Sequence, residues 1–433
     1  MDPSTLMIAT LAGMTLAILI GIEVGLALGM AGLIGTYFLF NDLDKAVGAL
    51  GSAAYSVLRD ELFATIPLFV LMGDFVARSG AARDLYRLVN RGLKRIPGRL
   101  AVATVIGNAV FAAVTGVSIA AAAAFSRIAY PQMREHNYRR TFAIGSVAGS
   151  ACLGMLIPPS VLLIIWGIVT ETSIGKLFIA GIVPGVILTG LFILYSVAAA
   201  KLDPSLAPPI DDEADRVTHR GETVSGLGIL ALIVLVLGGI WAGLFAPAEA
   251  AGIGALGAMV FAVVKGLRWQ GIAQAVIDAG RSSAPIMFLL LAAAMYSRFL
   301  ALGGVTDTLS NSLSALGTGS GGTLLMMVVI WLLLGMILDS ASIILLTVPI
   351  FAPIAMGFGL DPLAFAIFGI LAIEAGLLTP PVGLLVYTVK GAVPDSSVTL
   401  GDIFKGSLPY WLLMLVAMSL VAVFPGLATW LPG

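Results

Sequence analysis

Charge is what this chain of 433 residues has least of: 11% of its residues are Asp, Glu, Lys or Arg, against 59% hydrophobic, with a mean hydropathy of +1.05. A water-soluble fold of that composition would expose more apolar surface than monomers tolerate. The one cysteine, Cys152, excludes an internal disulfide, and two histidines, His136 and His219, both in polar stretches, argue against a metal cluster. No G-x-x-x-x-G-K-[ST] loop is present, which disfavours an ATP-driven pump. An intramembrane protease is disfavoured as well: there is no H-E-x-x-H, no histidine in an apolar run to act as base, and one convincing mid-membrane aspartate. Met1 to Thr5 lacks basic residues and the apolar stretch Leu6 to Phe40 is too long for a leader, so no cleaved signal is expected.

What is present is a series of apolar runs longer than the ~20 residues that cross a bilayer, without the alternating pattern of a β-barrel. The fold class is therefore an all-α polytopic membrane protein. Two of its runs are interrupted by double prolines, in Leu156-Ile157-Pro158-Pro159 and Leu378-Thr379-Pro380-Pro381, 222 residues apart. The same offset pairs Ser118 with Ser340, Pro131 with Pro353 and Gly154 with Gly376. This is an internal duplication. A Pro-Pro pair removes backbone donors and clashes with the carbonyl one turn back, so it opens a helix and frees polar groups that need a partner. Interrupted helices at corresponding positions of two halves point to the binding site of a secondary transporter.

Basic residues order the loops, since short loops rich in Lys and Arg stay cytoplasmic. Segment 78–99 holds Arg78, Arg83, Arg87, Arg91, Lys94, Arg95 and Arg99, and segment 127–140 holds Arg127, Arg134, Arg139 and Arg140. Both are expected inside, so the apolar stretch between them enters and leaves on one face as a re-entrant hairpin. With Lys201, Arg216, Arg220, Lys265, Arg268, Arg281, Lys390 and Lys405 also inside, four of the 23 Lys and Arg remain outside: Lys45, Arg59, Lys176 and Arg298. The threading makes the two halves inverted in topology and puts both termini on the outer face.

The expected first repeat covers residues 1–200, with scaffold spans in 6–77, an interfacial helix around 43–60, a basic arm at 78–99, a hairpin at 100–131, a broken helix at 141–172 and a span at 177–200. Residues 201–224 form a cytoplasmic linker. The second repeat, 225–433, is expected to have spans at 225–245, 248–264 and 283–298, an interfacial stretch before the last of these, a hairpin at about 323–353, a broken helix at 362–388 and a final span at 407–424.

Candidate functional residues cluster at the hairpin tips and the breaks. The first tip is Thr115-Gly116-Val117-Ser118, and the second contains Asp339 and Ser340. An intramembrane carboxylate such as Asp339 is costly enough to be functional by default; capping the second hairpin arm is the lesser alternative, and the two roles can coexist. Hard cations favour oxygen ligands. One Na⁺ site per repeat is expected: Ser118 with the backbone of Gly154 to Pro158, Ile157 included, and Asp339 and Ser342 with Gly376 to Pro380, Thr379 included. The carboxylate leads us to expect the second site to bind Na⁺ more strongly. Glu374, Ser150, Ser160, Pro159 and Pro381 are further cavity candidates; Glu374 could instead make a packing hydrogen bond, and the two serines could bond backbone carbonyls. Glu23 and Glu249, near span ends, read as interfacial or structural. No catalytic residue and no cofactor is expected. The arginine-rich arm fits either an anionic lipid surface or a solvated inner face.

The motifs Ile66-Pro67-Leu68-Phe69-Val70-Leu71-Met72-Gly73, Gly149 to Ser160 and Ser173 to Gly185 closely resemble the large membrane subunit of TRAP transporters, the DctM-like members of the ion transporter superfamily. In the second half Pro247-Ala248-Glu249-Ala250, Gly335 to Asp339, Gly359 to Pro362 and Glu374 to Gly383 look like the same family, so the resemblance spans nearly the whole chain. It implies a Na⁺-driven, ATP-independent importer of organic acids in the bacterial inner membrane, not an enzyme, working by an elevator motion of a transport domain against a scaffold. It also implies two partners, a small four-helix membrane subunit on a separate chain and a periplasmic substrate-binding protein. A stand-alone anion, proton or sodium exchanger of that superfamily is the alternative. Three departures from the family pattern stand out: the first tip has Val117 where a hydroxyl is common, Glu23 replaces a usual proline, and Ala372 replaces a common asparagine.

Overall fold

Proline, glycine and the few charges divide the apolar sequence into helices. A computed structural model describes residues 3–210, 220–305, 308–309 and 319–432. Among them every regular element is a helix, and seven helices are long and apolar enough to cross a membrane. The first half runs Pro3–Leu19, Val24–Phe40, Leu43–Arg59 and Thr65–Arg78, then the arm helix Ala81–Gly92. A first hairpin follows with arms Arg99–Thr115 and Ser118–Glu135. The first broken helix comprises Arg140–Ala151, the single turn Leu153–Leu156 and Val161–Thr170, and the half closes with Ile174–Leu202.

The second half keeps the order of hairpin, broken helix and long span. Its hairpin has arms Gly319–Gly335 and Ser340–Gly357, its broken helix consists of Pro362–Gly376 and Leu384–Ala392, and its long span is Leu400–Val423. Before these come Arg220–Ile233, which runs on through a wider turn at Val234–Gly238, and then Pro247–Val264. The separate interfacial stretch and span expected before the second hairpin are one helix, Trp269–Gly303, 35 residues long with Pro285 inside it. In the first half the corresponding region is cut by Asp60, whose carboxylate caps a short 3-10 turn at Glu61–Ala64. The linker is also shorter than expected, because Ile174–Leu202 ends and Arg220–Ile233 begins inside it; the central part of the stretch 201–224 lies outside the described residues.

Small residues set the helix packing, as membrane helices with little hydrophobic drive between them require close backbone approach. Gly32 brings Val24–Phe40 onto Trp269–Gly303, where a Cβ on Gly32 would lie 3.1 Å from the Met295 backbone. Arg140–Ala151 crosses Leu400–Val423 at Gly145 and Gly406, and a Cβ on either would come within 2.1 Å of a backbone carbonyl oxygen across the crossing. An aromatic knot of Trp166, Trp331 and Phe365, with ring centroids 5.7 to 6.3 Å apart, locks the second hairpin to both broken helices.

The arm helix is not simply solvated. Asp84 binds Lys265 Nζ at 2.6 Å and Ser225 Oγ at 2.7 Å, while Arg91 forks onto the buried Glu222. These pairs tie the arm to helices of the second half, as does the Arg78–Asp278 pair just before it.

Candidate functional site

Each hairpin turns where its sequence forces it to. In the first, Gly116 adopts φ +62°, the left-handed conformation that L side chains resist, and ends the arm after Thr115. A Cβ at Gly116 would meet the Pro159 carbonyl oxygen at 2.5 Å, and the Gly116 carbonyl accepts the Val161 N–H at 3.2 Å. The tip therefore docks on the far side of the first break. Its near side is held by Gly154, where a Cβ would stand 2.9 Å from the Ser118 backbone. In the second half the contact is shifted: Gly376 meets Gly335, the last residue of the first arm, and Gly383 N–H donates to the Met336 carbonyl at 3.3 Å. Both Pro-Pro bonds are cis.

Around the first break most hydroxyls are already committed. Ser160 Oγ bonds the Met155 carbonyl at 2.5 Å and accepts the Leu163 N–H, capping the helix that resumes there. Ser150 Oγ donates to the Ser146 carbonyl and accepts from Asn108 Nδ2 at 2.7 Å. Both serines thus take the backbone role. Ser118 differs, since its hydroxyl is fully buried and makes no hydrogen bond. Gly154, which packs on the Ser118 backbone, loses the helical donor to its carbonyl at Pro158, which carries no N–H. A buried polar group without a partner calls for a ligand or water.

At the second tip the oxygens satisfy one another. Asp339 caps Ser340–Gly357, accepting the Ser342 N–H at 3.0 Å and the Ser342 hydroxyl. Thr379 Oγ1 donates to the Ala375 carbonyl at 2.9 Å and accepts from Trp411 Nε1 at 3.0 Å. The Gly376 carbonyl takes the Thr379 N–H. Pro380 and Pro381 are exposed, whereas Pro158 and Pro159 are buried, so the duplicated breaks sit in unlike surroundings.

Glu374 brings the two halves together. Its carboxyl is 1% exposed; Oε1 accepts from Ser340 Oγ at 2.8 Å, and Oε2 has no hydrogen bond. Ser118 Oγ stands beside the same carboxyl, short of hydrogen-bonding geometry. Cys152, which is Glu374's counterpart at the offset of 222, places Sγ 3.9 Å from the Glu374 carbonyl oxygen. Glu23 and Glu249 take the structural role: Glu23 accepts the Leu26 N–H, and Glu249 accepts the Ala246 N–H at 2.9 Å, each at a helix N-terminus. Asn108 was not singled out from sequence. Fully buried, with its Oδ1 unbonded, it signalled itself only as an amide in an apolar arm.

Paired helical hairpins docked on broken helices in an apolar bundle define a membrane transporter fold. The Alcanivorax borkumensis YdaH transporter shares it, with a TM-score of 0.62 over 90% of each chain at 18% identity. The model of the DctM component of tripartite ATP-independent periplasmic transporters matches residues 11–427, and the chain belongs to that family. It is 33% identical to the C4-dicarboxylate TRAP transporter large permease protein DctM of Pseudomonas aeruginosa, over 94% of this chain and 93% of that one. It is 29% identical to the ectoine TRAP transporter large permease protein TeaC of Halomonas elongata, covering 99% and 98%. The isethionate TRAP transporter permease protein DctMQ of Oleidesulfovibrio alaskensis is 28% identical over 96% of this chain and 65% of its own length. The chain is accordingly a multi-pass TRAP large permease.

Proposed function

We propose that this permease imports a small organic acid across the bacterial inner membrane by Na⁺ symport, taking its cargo from a periplasmic binding protein and working with a small membrane subunit. The carboxylate class is suggested by the relative named for C4-dicarboxylates, and the partners by membership of a tripartite transporter family. In this reading the two halves are inverted repeats with both termini periplasmic, and the hairpins with their broken helices form the body that moves against the scaffold.

The observation that carries the Na⁺ reading is Ser118: a buried hydroxyl without a hydrogen bond, pressed against Gly154 whose carbonyl has lost its donor. A buried hydroxyl beside a carboxyl, at a break where the Gly154 carbonyl has lost its helical donor, offers the kind of oxygens a hard cation requires. Asp339, Ser342 and the Gly376 to Pro380 backbone are the counterpart set, and there the ion would replace hydrogen bonds the residues now make with one another. The test is uptake into proteoliposomes with and without an inward Na⁺ gradient and the binding protein. Uptake that needs both supports the proposal; uptake that needs neither favours a stand-alone exchanger.

A further inference from the structure

Three arginines that make no ion pair or hydrogen bond among the described residues line one cleft at the basic face of the protein. The cleft, about 520 Å³, lies between the arm helix Ala81–Gly92 and the two arms of the first hairpin. Arg83 and Arg87 line it from the arm, four residues apart and so on one face of that helix. Arg127 lines it from the hairpin, with Phe111 and Ala124 as apolar walls. The one acid in the lining, Asp84, is consumed by Lys265 and Ser225. Arg83, Arg87 and Arg127 make no ion pair or hydrogen bond with the described residues.

Like charges facing one cleft repel, and an oxyanion between them reverses the sign of that term. Guanidinium groups hold carboxylates bidentately, which adds geometry to charge. The place is also informative. Phe111 is one turn before Thr115, about 6 Å along the arm, and Ala124 and Arg127 follow Ser118 by roughly 9 and 13 Å at 1.5 Å per residue. The cleft thus runs up the same hairpin whose tip holds the uncommitted Ser118. A basic rim present only for membrane orientation would need no such convergence.

We propose that this cleft is a carboxylate-binding station on the inner side of the first hairpin, where the imported acid pauses as it leaves the tip. The proposal rests on the organic-acid reading above and adds a second site to it.

Cys152, the lone cysteine, is buried, so Ala77→Cys in the cleft lining gives a single reactive thiol. The permease is placed in phosphatidylcholine nanodiscs and labelled with N-ethylmaleimide, a neutral reagent, in succinate or in sodium chloride of equal ionic strength. Succinate should slow labelling saturably, by about tenfold at ten times its half-effect concentration. Arg83→Gln, Arg87→Gln and Arg127→Gln together should abolish that protection, read for each variant as the ratio of its own rates in chloride and in succinate, since losing the three charges also changes the thiol's basal reactivity. Absence of protection by succinate overturns the proposal, as does protection that survives the triple change. So does protection given by phosphatidylglycerol in the nanodisc but not by succinate, which would make the cleft a lipid site. Na⁺-driven uptake is measured on the same chain: its loss with protection intact counts against Na⁺ coupling, and its presence without protection counts against the station alone.

Discussion

Ser340 Oγ donates to Glu374 Oε1 at 2.8 Å, tying the tip of the second hairpin to the broken helix of its own half through a carboxyl that is 1% exposed. Ser118, the counterpart of Ser340, approaches that carboxyl without bonding it. These two serines, 222 residues apart, should therefore part company on mutation. Ser340→Ala removes a buried hydrogen bond to a carboxyl and is expected to cost about 1.5–3 kcal/mol. Ser118→Ala removes a buried hydroxyl that makes no hydrogen bond, so it should not destabilise the fold and should instead weaken the response to Na⁺. Thermal unfolding of both variants in detergent, with and without NaCl, reads the two effects separately.

Asp339 caps its helix, and chemistry can split that role from the proposed one in Na⁺ binding. Serine at this position keeps an N-cap acceptor but removes the charge, whereas alanine removes both. Asp339→Ser should unfold near the wild-type temperature and lose Na⁺-dependent uptake; Asp339→Ala should in addition lose about 1 kcal/mol of stability. Full Na⁺ dependence in Asp339→Ser would restrict the residue to capping.

The crossing of Gly145 and Gly406 admits no side chain. Gly145→Ala places a Cβ 2.1 Å from the Gly406 carbonyl oxygen, a backbone atom that cannot rotate away. Overpacking of this kind costs about 1–3 kcal/mol or more. Gly190→Ala is the control: nothing lies within 4 Å of its Cβ position, and Ala in the helix Ile174–Leu202 should be neutral or stabilising by up to about 1 kcal/mol. Equal melting temperatures for the two variants would contradict the crossing.

Acid should leave one loop contact intact where ordinary carboxylates fail. The Ser397 hydroxyl, the Tyr130 hydroxyl and the Ser397 N–H hold Asp395, in the loop 393–399, down to about 2 from its ordinary 3.8. A depressed carboxyl stabilises above its unfolded value and loses that contribution as pH falls through the folded one. The difference in melting temperature between wild type and Asp395→Asn should hold from neutral pH to about 4 and close as pH approaches 2. A difference that stays constant from pH 4 down to about 2 would show that Asp395 titrates at its ordinary value.

How much of this was legible in the sequence follows from the range of the forces involved. The breaks at Pro158-Pro159 and Pro380-Pro381 and the tips at Gly116 and Asp339 rest on local backbone chemistry, and the helices end where those residues stand. The interfacial stretch and span expected separately before the second hairpin form one helix, Trp269–Gly303, which runs through Pro285, as membrane helices tolerate when neighbours cover the freed groups. Contacts across the fold left no local trace. Nothing near Glu222 marks it as the partner of Arg91, 131 residues away, and nothing near Gly145 announces Gly406. Glu374 was visible as an acid in an apolar run, but its attachment to Ser340 required the two elements to be seen together.

Cys152 and Glu374, 222 residues apart in the sequence, meet in the fold, where the Cys152 thiol lies against the Glu374 main chain. Both positions are 1% exposed, so an acid at position 152 would add a second desolvated charge to a place that already holds one. A small neutral side chain avoids that cost.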